Sequence, residues 1–364
     1  MSDYSRLIAE ELSRAGDRVH VYAPAIEAAT TTTCSGGAEV HRLPGHFGPN
    51  SLRILDHKLR QSGNDSVLVQ YVPHAYGLKA MNLPFCLWLC AFGRAHRRVT
   101  VMFHEATAPH QPGQPMRYHM LAAVTRLMAM LVVKSATTIF VSIPAWKERL
   151  AEFAAGKPIG WLPVPSNVAV AGDQRAIAAL RTSLNGNLIA GHFGTFNPAI
   201  SQLLTAALPR VLAIRPEVSI LLIGRDGIAL RQAMLEGSPH LAARIHATGA
   251  MPERSVSIAL SACDLMVQPY PDGVSTRRTT VMAALAHGRA VVANSGAFTE
   301  PLWAQADAAA LAPAFDQDAM YSQICALAAD ASERSRYACA GWRLYEDRFA
   351  VRHTISALRA AACA

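Results

Sequence analysis

Short apolar runs of strand length alternate with segments of helical period along nearly all of this 364-residue chain. That alternation limits the fold more than any single motif does. Strands are expected at residues 18–22, 39–43, 66–71, 99–103 and 137–141, and again at 188–192, 218–223, 244–247, 264–268 and 290–293. Helices are expected at 2–15, 51–61, 78–93, 116–133 and 142–155, then from the 193–197 turn through 212, and at 228–235 and 253–262. A further helix follows the 272–279 stretch, and the last three cover 317–329, 332–348 and 351–362. Strands alternating with helices at this spacing point to parallel sheets covered on both faces. Residues 161–175, WLPVPSNVAVAGDQR, carry two prolines, a glycine and no period, and mark a domain boundary. Two doubly wound α/β domains follow, and ligands in such folds sit at the carboxyl ends of strands.

The length exceeds the usual single core, and 51% hydrophobic against 16% charged residues is enough to fill two. Lys and Arg number 34 and Asp and Glu 26, a net charge of +8 that favours anionic partners: sugar nucleotides, lipid head groups or nucleic acid. The arginines are scattered and no zinc-finger spacing occurs, so no nucleic-acid partner is expected. Seven cysteines without a C-x-x-C pair read as buried thiols in a reducing cytosol. The acidic, amphipathic start excludes a signal peptide, and the apolar runs at 83–92 and 120–133 are too short to span a bilayer. A soluble cytoplasmic protein is expected. The basic run at residues 94–98 is compatible with peripheral contact at the inner membrane face, although a solvated helix end has the same letters.

One stretch stands out as a binding element, DGVSTRRTTVMAALAHG at residues 272–288. A polar turn with adjacent Arg277 and Arg278 runs into an alanine-rich helix that Ser275 or Thr276 can cap. The first-turn N–H groups and two guanidinium groups would hold a phosphate; a capped surface helix with solvated arginines reads the same way. Glycine turns follow three strands of the same half: Gly194-Thr195, Gly224-Arg225 and Gly249-Ala250-Met251. In the first half His104 and Glu105 directly follow the strand VTVMF, placing them at a carboxyl end. HEATAPH lacks the second histidine of a zinc-protease motif, and Asp316-Gln317-Asp318 precedes a helix as a cap would, so no metal site is expected.

The second-half segments EVSILLIGRDG, HATGAMPERSVSIALSACDLMVQPY and DGVSTRRTTVMAALAHGRAVVANSGAFTE resemble, in order and spacing, the nucleotide-sugar half of glycosyltransferase family 4. In the first half SDYSRLIAEELSRAGDRVHVYAP and VMFHEA are similar to the family's first helix, second strand and sugar-site histidine strand, and YEDRFAVRHTISAL to its terminal helix. The resemblance implies a GT-B fold, two Rossmann-like domains facing a central cleft, with domains at 1–165 and 166–342 and a terminal helix at 343–364 crossing back to the first. It implies a retaining, metal-independent hexosyltransferase without a cofactor, using a nucleotide-diphosphate sugar and a carbohydrate or lipid-linked acceptor in polysaccharide or glycolipid assembly. The donor diphosphate would lie at Gly194, Thr195, Arg225, Gly249, Met251, Asp272, Ser275, Thr276, Arg277, Arg278 and Thr279, with His104 and Glu105 as the catalytic pair.

Three departures accompany the resemblance. Ser275 and Ala283 stand where the family has two glutamates, and Gly194-Thr195-Phe196-Asn197 where it has Arg and Lys; Arg277 and Arg278 are the expected replacements. The family's opening strand and glycine-rich loop have no counterpart in these residues, so the expectation is a start upstream of Met1 or an incomplete cleft. A non-catalytic, nucleotide-binding subunit on the same fold is the alternative.

Overall fold

A computed structural model describes residues 2–25, 31–63, 66–95, 98–109, 113–184 and 187–363. The chain divides into two compact units, one of Met1–Pro163 with Val351–Ala364 and one of Val164–Ala350. The divisions therefore fall at 163/164 and 350/351 rather than at 165/166 and 342/343. His96 and Arg97 of the basic run, and residues 110–112, lie outside the described residues.

The first unit runs α1 (Ser2–Arg14), β1 (His20–Pro24), β2 (Thr31–Ser35), β3 (Ala38–Leu43), α2 (Pro49–Gln61), β4 (Ser66–Tyr71), α3 (Leu83–Arg94), β5 (Arg98–Phe103), α4 (Met116–Ser135), β6 (Thr138–Val141), α5 (Pro144–Ala154) and β7 (Ile159–Trp161). Its strands form two sheets. One has the order β1-β3-β2, with β2 antiparallel to β3; the other is the all-parallel β4-β5-β6-β7. Among the described residues β1 and β4 are each edge strands. β5 is the most enclosed: Val99, Val101, Met102 and Phe103 are fully buried, each contributing about 1.5–3 kcal/mol of apolar burial.

Residues 78–82 do not continue the expected helix. Gly77 and the positive-φ residues Leu78, Lys79 and Ala80 make a kinked turn, and Asn82 caps α3 by accepting the Phe85 N–H at 3.0 Å. The Asn82 amide also donates to the carbonyls of His46, Phe47 and Tyr76. Helix α4 is 20 residues long, not the apolar 120–133 core alone, and so reaches about 30 Å, long and apolar enough to cross a membrane. The length limit expected from sequence does not hold for it. It packs on α3 and α5 and leaves Met116, Met120 and Leu127 exposed.

The second unit runs α6 (Gln174–Ser183), β8 (Leu188–Phe193), α7 (Pro198–Ile214), β9 (Val218–Ile223), α8 (Gly227–Gly237), β10 (Ile245–Ala247), α9 (Glu253–Ala262), β11 (Leu265–Gln268), α10 (Thr279–Ala286), β12 (Ala290–Ser295), α11 (Leu302–Gln305), β13 (Ala310–Pro313), α12 (Gln317–Ala329) and α13 (Ala331–Leu344). A wide turn at Tyr345–Phe349 closes it, and α14 (Val351–Cys363) returns to the first unit, against α1 and β5. The sheet is parallel throughout, in the order β10-β9-β8-β11-β12-β13. Chain order reverses between β8 and β11, so the loops after these strands leave the sheet on either side of a topological switch point. Asp173, Asn197, Asp316 and Asp330 cap α6, α7, α12 and α13 through their side chains, each worth about 1 kcal/mol.

Of the seven cysteines, all free, only Cys86, Cys90 and Cys263 are buried; Cys34, Cys339 and Cys363 are exposed. The expectation of buried thiols throughout is corrected accordingly, because Cys339 and Cys363 fall on the outward faces of the last helices.

Candidate functional site

The two loops at the switch point are built tightly against each other. After β8 the backbone turns at Gly194, φ +145°, and a Cβ there would lie 3.1 Å from Thr280 in the first turn of α10. After β9 it turns at Gly224, φ +139°, where a Cβ would meet the Gly194 carbonyl oxygen at 2.6 Å. Both conformations, and the approach of Gly224 to the Gly194 carbonyl, favour glycine over any other residue. Gly224 forms an isolated bridge with Gly249, and its N–H donates to Thr248 Oγ1 at 3.3 Å. The three glycine turns thus lie side by side at the carboxyl ends of β8, β9 and β10. Thr195 and Arg225 on these turns are exposed, and among the described residues Arg225 has no hydrogen bond or ion pair. Gly249 is buried and Met251 half-buried.

The loop after β11 is held from behind. The Gln268 amide donates to the Phe193 carbonyl at 3.1 Å, and the Tyr270 and Thr280 hydroxyls share a hydrogen bond of 2.7 Å. The Tyr270 N–H donates to Asn294 Oδ1 and the Val274 N–H to the Asn294 carbonyl, tying the loop to β12. Thr276 donates to the buried Glu300 carboxylate through its amide at 3.0 Å and its hydroxyl at 2.5 Å. Trp303 Nε1 donates to the other Glu300 oxygen at 2.8 Å. Burial raises the Glu300 pKa above the ordinary value, opposed by the hydrogen bonds from Thr276 and Trp303.

These tethers change the expected capping of α10. Its N-cap is Arg278, which makes no side-chain cap; Ser275 Oγ is buried and unpartnered among the described residues, and Thr276 Oγ1 is committed to Glu300. Neither Ser275 nor Thr276 caps the helix, because the pull toward β12 and Glu300 delays its start to Thr279. The first intrahelical bond runs from the Met282 N–H to the Arg278 carbonyl, so the amides of Thr279 and Thr280 precede the helical ladder. Arg277 and Arg278 stand at this end, both bonded to Asp272, one to each carboxylate oxygen. Arg277 lies over the Phe298 ring and Arg278 over Tyr270, centroids 5.0 and 4.9 Å away. One carboxylate against two guanidinium groups leaves a net positive charge beside a positive helix end.

In the first unit His104 follows β5, is buried, and shares a 2.8 Å hydrogen bond between Nε2 and Gln70 Oε1. Its carbonyl accepts from Trp146 Nε1 and Ser142 Oγ, and Tyr4 meets its ring edge-on at 4.7 Å. Burial lowers its pKa to about 3, so at neutral pH it is an uncharged hydrogen-bonding group. Glu105 beside it is half-buried. Asp316 of the D-x-D string caps α12 by accepting the Ala319 N–H, and Asp318 pairs with Arg210, both at 2.8 Å.

Sequence reasoning brought together the loop 272–279 and the turn at Gly194. It missed Glu300, Gln268, Tyr270 and Asn294, which position that loop; a carboxylate three residues before a buried tryptophan candidate, in NSGAFTEPLW after β12, was the available signal.

Residues 187–330 match the family model described as glycosyl transferases group 1, and the expected family resemblance is borne out over them. A 134-residue stretch is 29% identical to phosphatidyl-myo-inositol mannosyltransferase of Mycolicibacterium smegmatis; it covers 37% of this chain and about a third, 34%, of that relative. Among solved structures, sucrose-phosphate synthase of Thermosynechococcus elongatus aligns with a TM-score of 0.71 at 16% identity, covering 98% of this chain and 90% of that one. HepE of Anabaena, in complex with UDP and glucose, aligns with a TM-score of 0.70 at 15% identity over 100% and 96% of the two chains. The fold is therefore GT-B, with parallel sheets in two domains, as expected.

Proposed function

We propose that the chain is a retaining, metal-independent glycosyltransferase that moves a sugar from a nucleoside-diphosphate donor to a hydroxyl of a carbohydrate or lipid-linked acceptor in polysaccharide or glycolipid assembly. The start of α10 carries this reading. Its helix end lacks a side-chain cap, abuts a glycine turn at the switch point, and has two guanidinium groups sharing one carboxylate. An anion with two phosphoryl groups matches it in charge and in hydrogen bonding. UDP in the HepE structure is a ligand of that chemistry.

In the reaction the bond between the sugar's anomeric carbon and the diphosphate oxygen breaks, leaving its electron pair on the phosphate. Arg277, Arg278 and the Thr279 and Thr280 amides stabilise that developing charge. The acceptor oxygen bonds to the same face of the anomeric carbon, and its proton leaves with the diphosphate. His104, neutral, serves as a hydrogen-bonding group for a sugar hydroxyl, with Glu105 beside it. The double variant Arg277→Ala/Arg278→Ala tests the assignment: donor turnover falls by at least ~100-fold with an unchanged far-UV spectrum. Undiminished turnover would sink it.

One observation favours a second reading, a non-catalytic nucleotide-binding subunit. Ser275 and Ala283, at the positions where the family resemblance leads one to expect glutamates, are both fully buried and small. Titration calorimetry with UDP, GDP and dTDP, followed by assay of sugar release, separates the two readings. Binding without any release identifies the subunit.

A further inference from the structure

The three-stranded sheet of the first unit brings two imidazoles and a carboxylate to one point. His20 on β1 stands directly across from Glu39 on β3, and His41 lies two residues beyond Glu39, so all three side chains leave the same face. His20 Nδ1 is 3.1 Å from His41 Nε2 and 3.4 Å from Glu39 Oε2, and His41 Nε2 is 3.8 Å from that oxygen. A four-coordinate ion with bonds of about 2.0–2.2 Å spaces its ligands about 3.3–3.6 Å apart. The triangle already present brackets that spacing. Among the described residues this is the one cluster of three such groups.

The surroundings are those of a ligand set. The two histidine side chains are about nine-tenths buried, while Glu39 is 40% exposed and leaves the cluster open to solvent on its side. His41 is fixed in orientation, with Tyr22 stacked on its ring at 4.9 Å and Thr32 Oγ1 3.2 Å from its Nδ1. When Nδ1–H donates to that hydroxyl, the Nε2 lone pair faces the centre of the triangle. Arg18, 4.0 Å from the other Glu39 oxygen, is the competing cation.

We propose that His20, Glu39 and His41 bind a divalent ion of the zinc class, with water as the fourth ligand, clamping β1 to β3. Two imidazoles and one carboxylate suit the borderline first-row ions rather than calcium or magnesium. The site lies wholly within the first unit.

Zn²⁺ titration of the full chain against a chromophoric chelator, with Co²⁺ absorption as a second readout, tests this. The wild-type chain is expected to take up one tight equivalent, to give the visible spectrum of four-coordinate Co²⁺, and to melt at a higher temperature with Zn²⁺. His20→Ala, His41→Ala and Glu39→Gln should each weaken the tight equivalent by at least ~100-fold, and Thr32→Val by about 10-fold. Glu39→Gln alters a partly exposed side chain, so its far-UV spectrum should match wild type while its binding is lost. A tight equivalent that survives these substitutions, an octahedral Co²⁺ spectrum, or no tight equivalent in the wild-type chain would each overturn the proposal.

Discussion

Glu300 accepts both the amide and the hydroxyl of Thr276, at 3.0 and 2.5 Å, and so fixes the loop that delivers Arg277 and Arg278 to the start of α10. Glu300→Ala strips acceptors from two Thr276 donors and from the Trp303 indole, all buried. The expected loss is about 3–5 kcal/mol in urea unfolding. Glu300→Gln keeps one accepting oxygen and should lose less. Because burial raises the Glu300 pKa from its ordinary 4.5, the folded form holds this proton more tightly than the unfolded one. Stability from this group is therefore greatest in acid and declines as pH rises upward from about 4.5. The difference curve between wild type and Glu300→Gln should show that slope.

His104 works in the opposite sense. Its pKa falls from 6.5 to about 3 on folding, so between these values the unfolded chain binds the extra proton. Its contribution is fully present above pH 6.5 and is lost as pH falls toward 3. Amide exchange in β5, followed against pH, should be less acid-sensitive in His104→Gln than in wild type. Equal sensitivity would mean that the imidazole charges without cost.

Gly224→Ala introduces a methyl 2.6 Å from the Gly194 carbonyl at a φ of +139°. A destabilisation of about 1–3 kcal/mol and weaker nucleoside-diphosphate binding are expected together, because the Gly194 turn packed against Thr280 of α10 must move. Gly237→Ala, at a helix end with open space around the new methyl, serves as the control and should leave binding unchanged.

Asp272→Asn removes the negative charge shared by Arg277 and Arg278 while leaving one carbonyl oxygen to hold a guanidinium. A several-fold gain in UDP affinity is expected, with a steeper dependence on salt. Weaker binding by calorimetry would mean that Asp272 acts chiefly to hold the arginines in place.

In the second unit β9 was legible because it is an uninterrupted apolar run, VSILLI, and Val218–Ile223 is buried along its whole length. Of the edge strands, β1, β4 and β10 were legible but β2, β7 and β13 were not. β7 and β13 are three and four residues long, β2 is a run of threonines paired antiparallel with β3 across a two-glycine turn, and none carries a period that distinguishes it from a loop. The arginine pair of the site could be read from its letters. The helix start could not, because Ser275 and Thr276 are good caps by type and only the long-range bonds to Asn294 and Glu300 remove them from that role. The His20, Glu39 and His41 cluster depends on strand register, which places residue 20 opposite residue 39 and which no spacing in the sequence states.

Helix α14 belongs by its contacts to the first unit, beside α1 and β5, although the whole second unit separates it from them in the chain. During synthesis the second unit can therefore close on itself while the first still waits for its last helix. The side of α1 that faces α14, along Glu11, Arg14 and Ala15, is without that neighbour until then. Damage near the carboxyl terminus would be felt first at the opposite end of the sequence.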